Sequence, residues 1–183
     1  MPFMLALPML LACQPEPKED NKVVVISGGG HSASSAEDFE ALRFPCCDNT
    51  AVADTIAAYV DLNDALAADD LPRSQAAAAG LAARAARAAE AADLSEADHQ
   101  RAATLAALAG GWAAAGDLKA IRSELTQAAA VALPLAREHR GGELLSVVVA
   151  FCPMAPGRWL QSRPQLLNPY FGAEMLTCGV FEE

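Results

Sequence analysis

The chain has 183 residues, which is enough for one folded domain and a short additional segment. Hydrophobic residues make up 53% of it, but alanine contributes much of that fraction and aromatic residues only 5%, which favours a mainly helical globular protein. The formal net charge of −10 argues against nucleic acid as a partner, because the phosphate backbone would be repelled.

The first residues resemble a bacterial export signal. Residues 1–12 are almost purely apolar, and Leu10-Leu11-Ala12-Cys13 matches the box at which lipoprotein precursors are cleaved and acylated. The apolar run is shorter than the roughly 20 residues that a membrane-spanning helix needs. The sequence therefore predicts a signal peptide over 1–12, lipidation of Cys13 and a periplasmic mature chain. The lipid would be the only contact of that chain with a membrane, which we expect to be the outer membrane. In the alternative, Cys13 is an ordinary, unmodified cysteine.

Residues 13–49 are predicted to form the anchor and a flexible linker, because Pro, Glu, Lys and Asp dominate its first part. The β-branched run at residues 22–26 favours a short strand within this linker. In an oxidising compartment the remaining cysteines could pair in three ways. The chain has five cysteines, and those other than Cys13 are Cys46, Cys47, Cys152 and Cys178.

Residues 50–183 are predicted to form a helical bundle domain with a C-terminal Cys/Met motif. The first helix, capped by Asn49 or Thr50, has apolar residues at steps of three and four: Val52, Ile56, Tyr59, Leu62 and Leu66. The second, over residues 74–92, is built largely from alanine, so periodicity does not fix its buried face.

Ser95 and the acidic residues after it predict the start of a third helix, whose buried stripe contains Leu105, Leu108 and Trp112. Asp117 is predicted to cap the fourth, and Pro134 to bend or end its final turn. The apolar seam of this helix is Leu118, Ile121, Leu125, Ala128, Ala132 and Leu135.

The links between these helices are short, which predicts antiparallel neighbours and hence a mainly α fold, an up-down four-helix bundle. A small C-terminal appendage of strands and loops would follow the bundle. Residues 144–151 read as a buried strand leading into Cys152, with the strand at 22–26 as a candidate partner.

The C-terminal segment concentrates four sulfur atoms, those of Cys152, Met154, Met175 and Cys178. Thiolates and thioethers are soft donors that suit Cu(I) and Ag(I), with Zn as a further candidate. A reversal of the chain at Asn168-Pro169 and Gly172 would bring the two pairs together. Two alternatives remain open: a Cys152–Cys178 disulfide with the methionines as core filling, or four inert buried side chains.

The adjacent Cys46 and Cys47 have their own alternatives. They could form a vicinal disulfide, bind a soft metal or be buried or paired separately, and one of them could supply a third thiolate to the C-terminal site. No serine, histidine and aspartate set is apparent, and His31, His99 and His139 have no partner spacing, so we do not expect an enzyme.

Four spaced elements of the tail carry a family resemblance, together with helical residues from Tyr59 to Asp70: Phe151-Cys-Pro-Met-Ala, Trp159-Leu160, Asn168-Pro-Tyr-Phe-Gly and Met175-Leu-Thr-Cys-Gly. This pattern resembles a bacterial domain of unknown function that is appended to periplasmic adaptors of CusB-type heavy-metal efflux pumps. The domain also occurs in stand-alone secreted or lipoprotein forms. The similarity extends over residues 50–180.

The resemblance implies an extracytoplasmic helical domain that handles copper, silver or a related metal, with Cys152, Met154, Met175 and Cys178 as ligands. The expected function is therefore that of a lipid-anchored periplasmic Cu(I) chaperone, buffer or accessory to efflux. Its partners would be the metal ion and an efflux adaptor or another periplasmic protein. The alternative is a structural or interaction lipoprotein, with its cysteines in disulfides and a docking surface between Trp159 and Phe171.

Overall fold

The computed structural model describes residues 35–155 and 157–182. The predicted signal peptide, the lipidation site Cys13, the strand at 22–26 and His31 lie outside the described residues. Within them the protein is mainly helical with a small sheet, which confirms the predicted class. The elements are α1 (Ala36–Leu42), β1 (Phe44–Cys46), α2 (Thr50–Ala67), α3 (Leu71–Ala88), α4 (Glu96–Trp112), α5 (Leu118–Glu138), β2 (Leu145–Phe151), β3 (Arg158–Gln161), a 3₁₀ turn (Gly172–Glu174) and β4 (Val180–Glu182).

The count of four helices is wrong for the described part of the chain, which has five. The additional one is α1, which Ser35 caps through a reciprocal pair of hydrogen bonds with Asp38. Its Phe39 is buried and contacts the ring of Phe181 at 5.9 Å between centroids. α1 and β1 thus lie within residues 13–49, the span that the sequence predicts as anchor and linker with a possible short strand.

The four long helices begin where the capping pattern predicts. The side chains of Asn49, Ser95 and Asp117 accept hydrogen bonds from the first-turn amides of α2, α4 and α5. Asp70 does the same for α3. Each long helix packs against the next, and α2 also packs against α5.

The apolar stripe predicted for α2 is fully buried, as are most positions of the α5 seam. In α3, where alanine gave no register, the buried side includes Ala78, Leu81 and Ala85. Pro134 does not end α5, because the helix continues to Glu138. Buried Leu133, Leu135 and Ala136 hold that last turn against the core, which compensates the one backbone donor that proline lacks.

The sheet forms around β2. β1 pairs antiparallel with its first half, Phe44 opposite Val147, and β3 and β4 both pair antiparallel with residues 149–151. Since a strand has two edges, β3 and β4 lie on opposite sides of β2. The predicted strand before Cys152 is therefore confirmed. No helix in the described ranges is both long and apolar enough to cross a bilayer.

Candidate functional site

Two turns carry the four predicted sulfur ligands. After β2 ends, the amide of Ala155 donates to the carbonyl of Cys152 at 3.0 Å, so Met154 lies within that turn. Near the C terminus, the amide of Cys178 donates to the carbonyl of Met175 at 3.0 Å. Each cysteine thus shares one turn with one methionine.

The structure brings the two cysteines together. Cys152 and Cys178 are 26 residues apart in sequence, their Cα atoms lie 5.8 Å apart, and their sulfur atoms form a disulfide. The cysteine pairing that the sequence left as an alternative is therefore the one present in this structure. Cys152 is fully buried, whereas Cys178 is partly exposed.

Strand pairing and one buried amide fix this juxtaposition. Val180 of β4, two residues after Cys178, lies opposite Phe151 of β2, which directly precedes Cys152. The backbone of Gly179 approaches so closely that a Cβ there would lie 2.7 Å from the carbonyl oxygen of Phe151, and its φ is +144°. Buried Asn168 donates through Nδ2 to the carbonyl of Cys178 at 3.0 Å.

The predicted reversal of the chain between the two sulfur pairs is also present. The backbone amide of Asn168 donates to the carbonyl of Leu176 at 2.8 Å, and Gly172 has a φ of +57°. A Cβ on Gly172 would lie 2.1 Å from Oδ1 of Asp69, so only glycine fits there. The tail thus folds back against the end of α2.

Arg122 of α5 connects this tail to the helices. Its Nε donates to the carbonyl of Pro169 at 2.9 Å, and its Nη2 donates to the carbonyl of Leu66 at 2.6 Å and to Asp69. Asp69 in turn accepts the amide of Ala173 at 2.8 Å. The hydrogen bonds that Asp69 accepts lower the pKa of its carboxyl, and the one from Arg122 has the largest effect. No pattern in the sequence predicts this role of Arg122.

The four sulfur side chains differ in exposure, and Met154 is the most exposed of them. Met154 is 67% exposed, and Met175 is partly buried. In the described residues no three His, Cys, Asp or Glu side chains lie together as a metal-binding group. A site here would therefore consist of the two cysteine sulfurs with one or both methionines.

Cys46 and Cys47 form a separate vicinal disulfide across a cis peptide bond, and both are fully buried. Cys46 lies opposite Leu145, at the start of β2, whereas Cys152 follows the end of that strand. Seven residues of strand separate the two positions by about 20 Å. The hypothesis that one of them adds a third thiolate to the C-terminal pair is therefore wrong.

In the segment from Trp159 to Phe171, where the structural alternative expected a docking surface, the aromatic rings of Trp159 and Tyr170 are buried. Trp159 is fully buried, its Nε1 donates to Gln161 at 3.1 Å, and its ring lies 6.1 Å from that of Tyr170. The Tyr170 hydroxyl donates to the carbonyl of Arg158 at 2.9 Å. These residues form the core beneath the cysteine pair.

His139, for which sequence spacing gave no partner, lies between two carboxylates. Its Nδ1 is 2.6 Å from Asp48 and its Nε2 is 3.5 Å from Asp98. Burial raises the pKa of Asp98, but hydrogen bonds from Ser95, Arg101 and His139 outweigh it and leave that pKa below its ordinary value. The hydrogen bond from His139 lowers the pKa of Asp48. Both ring nitrogens lie close to carboxylates, so this cluster connects three segments of the chain.

No protein-family model, curated protein or solved structure matches the chain.

Proposed function

We propose that the reduced protein binds a soft metal ion through Cys152 and Cys178, with Met154 and Met175 as additional ligands. The observation that supports this proposal is the meeting of two cysteines from distant segments, each in a turn with a methionine. Cu(I) is the proposed ion, because two thiolates and a thioether form a soft donor set. Ag(I) has the same preference, and Zn would use the thiolates alone.

Binding requires the thiol form of the pair. A thiolate is the metal ligand, and the sulfur atoms of a disulfide have no such charge to offer. Met154 is exposed and Cys178 is partly exposed, whereas Cys152 is fully buried, so an ion would reach the pair from the side of Met154 and Cys178. The strongly acidic chain favours approach of a cation over that of an anion.

The proposed setting is the periplasm, with the protein held at the outer membrane by a lipid on Cys13. There it would act as a chaperone, buffer or accessory to heavy-metal efflux, exchanging the ion with an efflux adaptor or another periplasmic protein. The four long helices, interpreted as an up-down bundle, would serve as the rigid support for the tail. No catalytic role is proposed.

A competition titration tests this proposal. Protein with reduced thiols should withdraw one equivalent of Cu(I) from a chromophoric chelator under anaerobic conditions, and the same sample with its disulfide intact should not. Cys152→Ser/Cys178→Ser should abolish binding, and Met175→Leu should weaken it at least about tenfold. A matched control is Cys46→Ala/Cys47→Ala, which removes two thiols remote from the tail. A folded, reduced protein that leaves copper with the chelator would refute the metal function.

A second candidate function is favoured by the disulfide itself. In this reading the Cys152–Cys178 bond permanently fastens the tail to the sheet, and the protein is a structural or interaction lipoprotein. The two candidates differ in their response to reduction. A metal carrier needs its two cysteines reduced, whereas a structural disulfide stays oxidised. If the bond is structural, mass spectrometry of alkylated protein isolated from cells would find Cys152 and Cys178 fully oxidised.

A further inference from the structure

A groove lies between the second half of α2, the start of α3 and the segment after β3, with a volume of about 260 Å³. Its apolar wall consists of Ala67, Ala68, Leu167 and Leu176. Its charged groups are Asp64, Arg73 and Arg163. It is smaller than the sites that take drug-sized molecules, which start at roughly 300 Å³.

A buried carboxylate organises the charged side of this groove. The Asp64 side chain is only 8% exposed, and its Oδ2 lies 3.0 Å from Nε of Arg163. Burial raises the pKa of Asp64, against the opposing effect of the positive charges of Arg163 and Arg73. The ion pair holds the Arg163 side chain at the groove. It uses only Nε, so the two terminal nitrogens of the guanidinium take no part in this contact.

Arg73 adds a second guanidinium. Asp64 interacts electrostatically with it, yet within residues 35–155 and 157–182 no carboxylate lies at ion-pairing distance from Arg73. Among the lining residues two arginines and one aspartate leave one positive charge next to an apolar wall, while Asp61, whose charge acts on Asp64, and Asp70, whose carboxylate accepts the Arg73 amide at 2.9 Å, lie outside the lining.

We propose that this groove binds a small monocarboxylate with a short apolar body. The carboxylate would accept hydrogen bonds from the guanidinium groups of Arg73 and Arg163, whose fork matches its two oxygens. The apolar body would cover the alanine and leucine wall. A free acid and the C terminus of a peptide share this chemistry. The inference stands apart from the proposed metal function, since it uses none of the four sulfur ligands.

The test uses the full chain and hexanoate, followed by amide chemical shifts in NMR. Hexanoate should shift the amides of Ala67, Ala68 and Leu176 saturably, and Arg73→Gln should weaken binding about tenfold. Arg84→Gln is the matched control, because Arg84 is an exposed arginine of the same helix that donates to its own helix at Gly80. It should bind hexanoate like the wild type.

Uncharged and cationic analogues provide the remaining arms. Hexanol and hexylamine should produce no saturable shift, and N-acetyl-leucine, which mimics a peptide terminus, should bind while its amide does not. Tighter binding of N-acetyl-leucine than of hexanoate would assign the groove to a peptide terminus. Equal shifts with hexanol, an unchanged affinity in Arg73→Gln, or no shift with any carboxylate would overturn the proposal.

Discussion

Removing the Cys152–Cys178 bond should destabilise the whole protein. The bond connects residues 26 apart, and closing a segment of that length reduces the entropy of the unfolded chain by an amount worth about 3.5 kcal/mol at 25 °C. In Cys152→Ala/Cys178→Ala, loss of the fully buried sulfur of Cys152 adds about 1 kcal/mol. The free energy of unfolding should therefore fall by about 4 to 5 kcal/mol.

Urea unfolding without reductant, followed by tryptophan fluorescence, measures this change. Trp112 and Trp159 are both buried, so their emission reports on the helices and on the tail core. Reduction of Cys46→Ala/Cys47→Ala protein opens only the Cys152–Cys178 bond, so it isolates the entropic part and should cost about 3.5 kcal/mol relative to the same variant oxidised. A loss below about 1 kcal/mol in the double variant would show that hydrogen bonds and strand pairing hold the tail without the bond.

Three further variants test how the tail and the helices are held. Arg122→Ala removes the link to the tail and should cost about 2 to 3 kcal/mol in urea unfolding, whereas exposed Arg84→Ala should change little. Gly172→Ala should destabilise the protein by more than about 1 kcal/mol, because its φ is positive and a Cβ would meet Asp69. Gly110→Ala is the control: a Cβ there meets no other atom, so it should stabilise the helix by up to about 1 kcal/mol. The folded-state pKa of Asp98 lies below its ordinary 3.8, so the ionised carboxylate stabilises the fold above about pH 4 and this stabilisation is lost on acidification. When the free energy of unfolding is measured against pH, its decline at acidic pH should be flatter in Asp98→Asn than in the wild type. Unchanged stability in the first two variants, or an unchanged acid slope in the third, would contradict these assignments.

The long helices could be predicted because local signals agree there. In α2 the apolar step of three and four residues coincides with a capping Asn49, and burial of that stripe follows. In α3 the signal fails, since alanine on every side leaves Leu81 as the main marker of the buried face. The seven-residue helix α1 is too short to establish a period, so its place in the fold depends on the long-range contact of Phe39 with Phe181.

The site was predictable only in part for a similar reason. Turn residues such as Gly172 indicate a reversal, and they correctly anticipated that Cys152 and Cys178 would meet. Pairings set by tertiary structure have no local pattern. His139 and Asp48 lie 91 residues apart in the chain, and Arg122 reaches the tail across 47 residues. Both contacts depend on how α5 and the residue that ends it pack against segments distant in sequence.

X-ray absorption of copper bound to the reduced protein tests the metal proposal most directly. We expect a sulfur-only shell at about 2.3 Å from two thiolates and at least one thioether, with the sulfur number falling in Met154→Leu or Met175→Leu. A shell of nitrogen or oxygen atoms, or a spectrum unchanged in Cys152→Ser/Cys178→Ser, would contradict the proposal that the C-terminal turns form a soft-metal site.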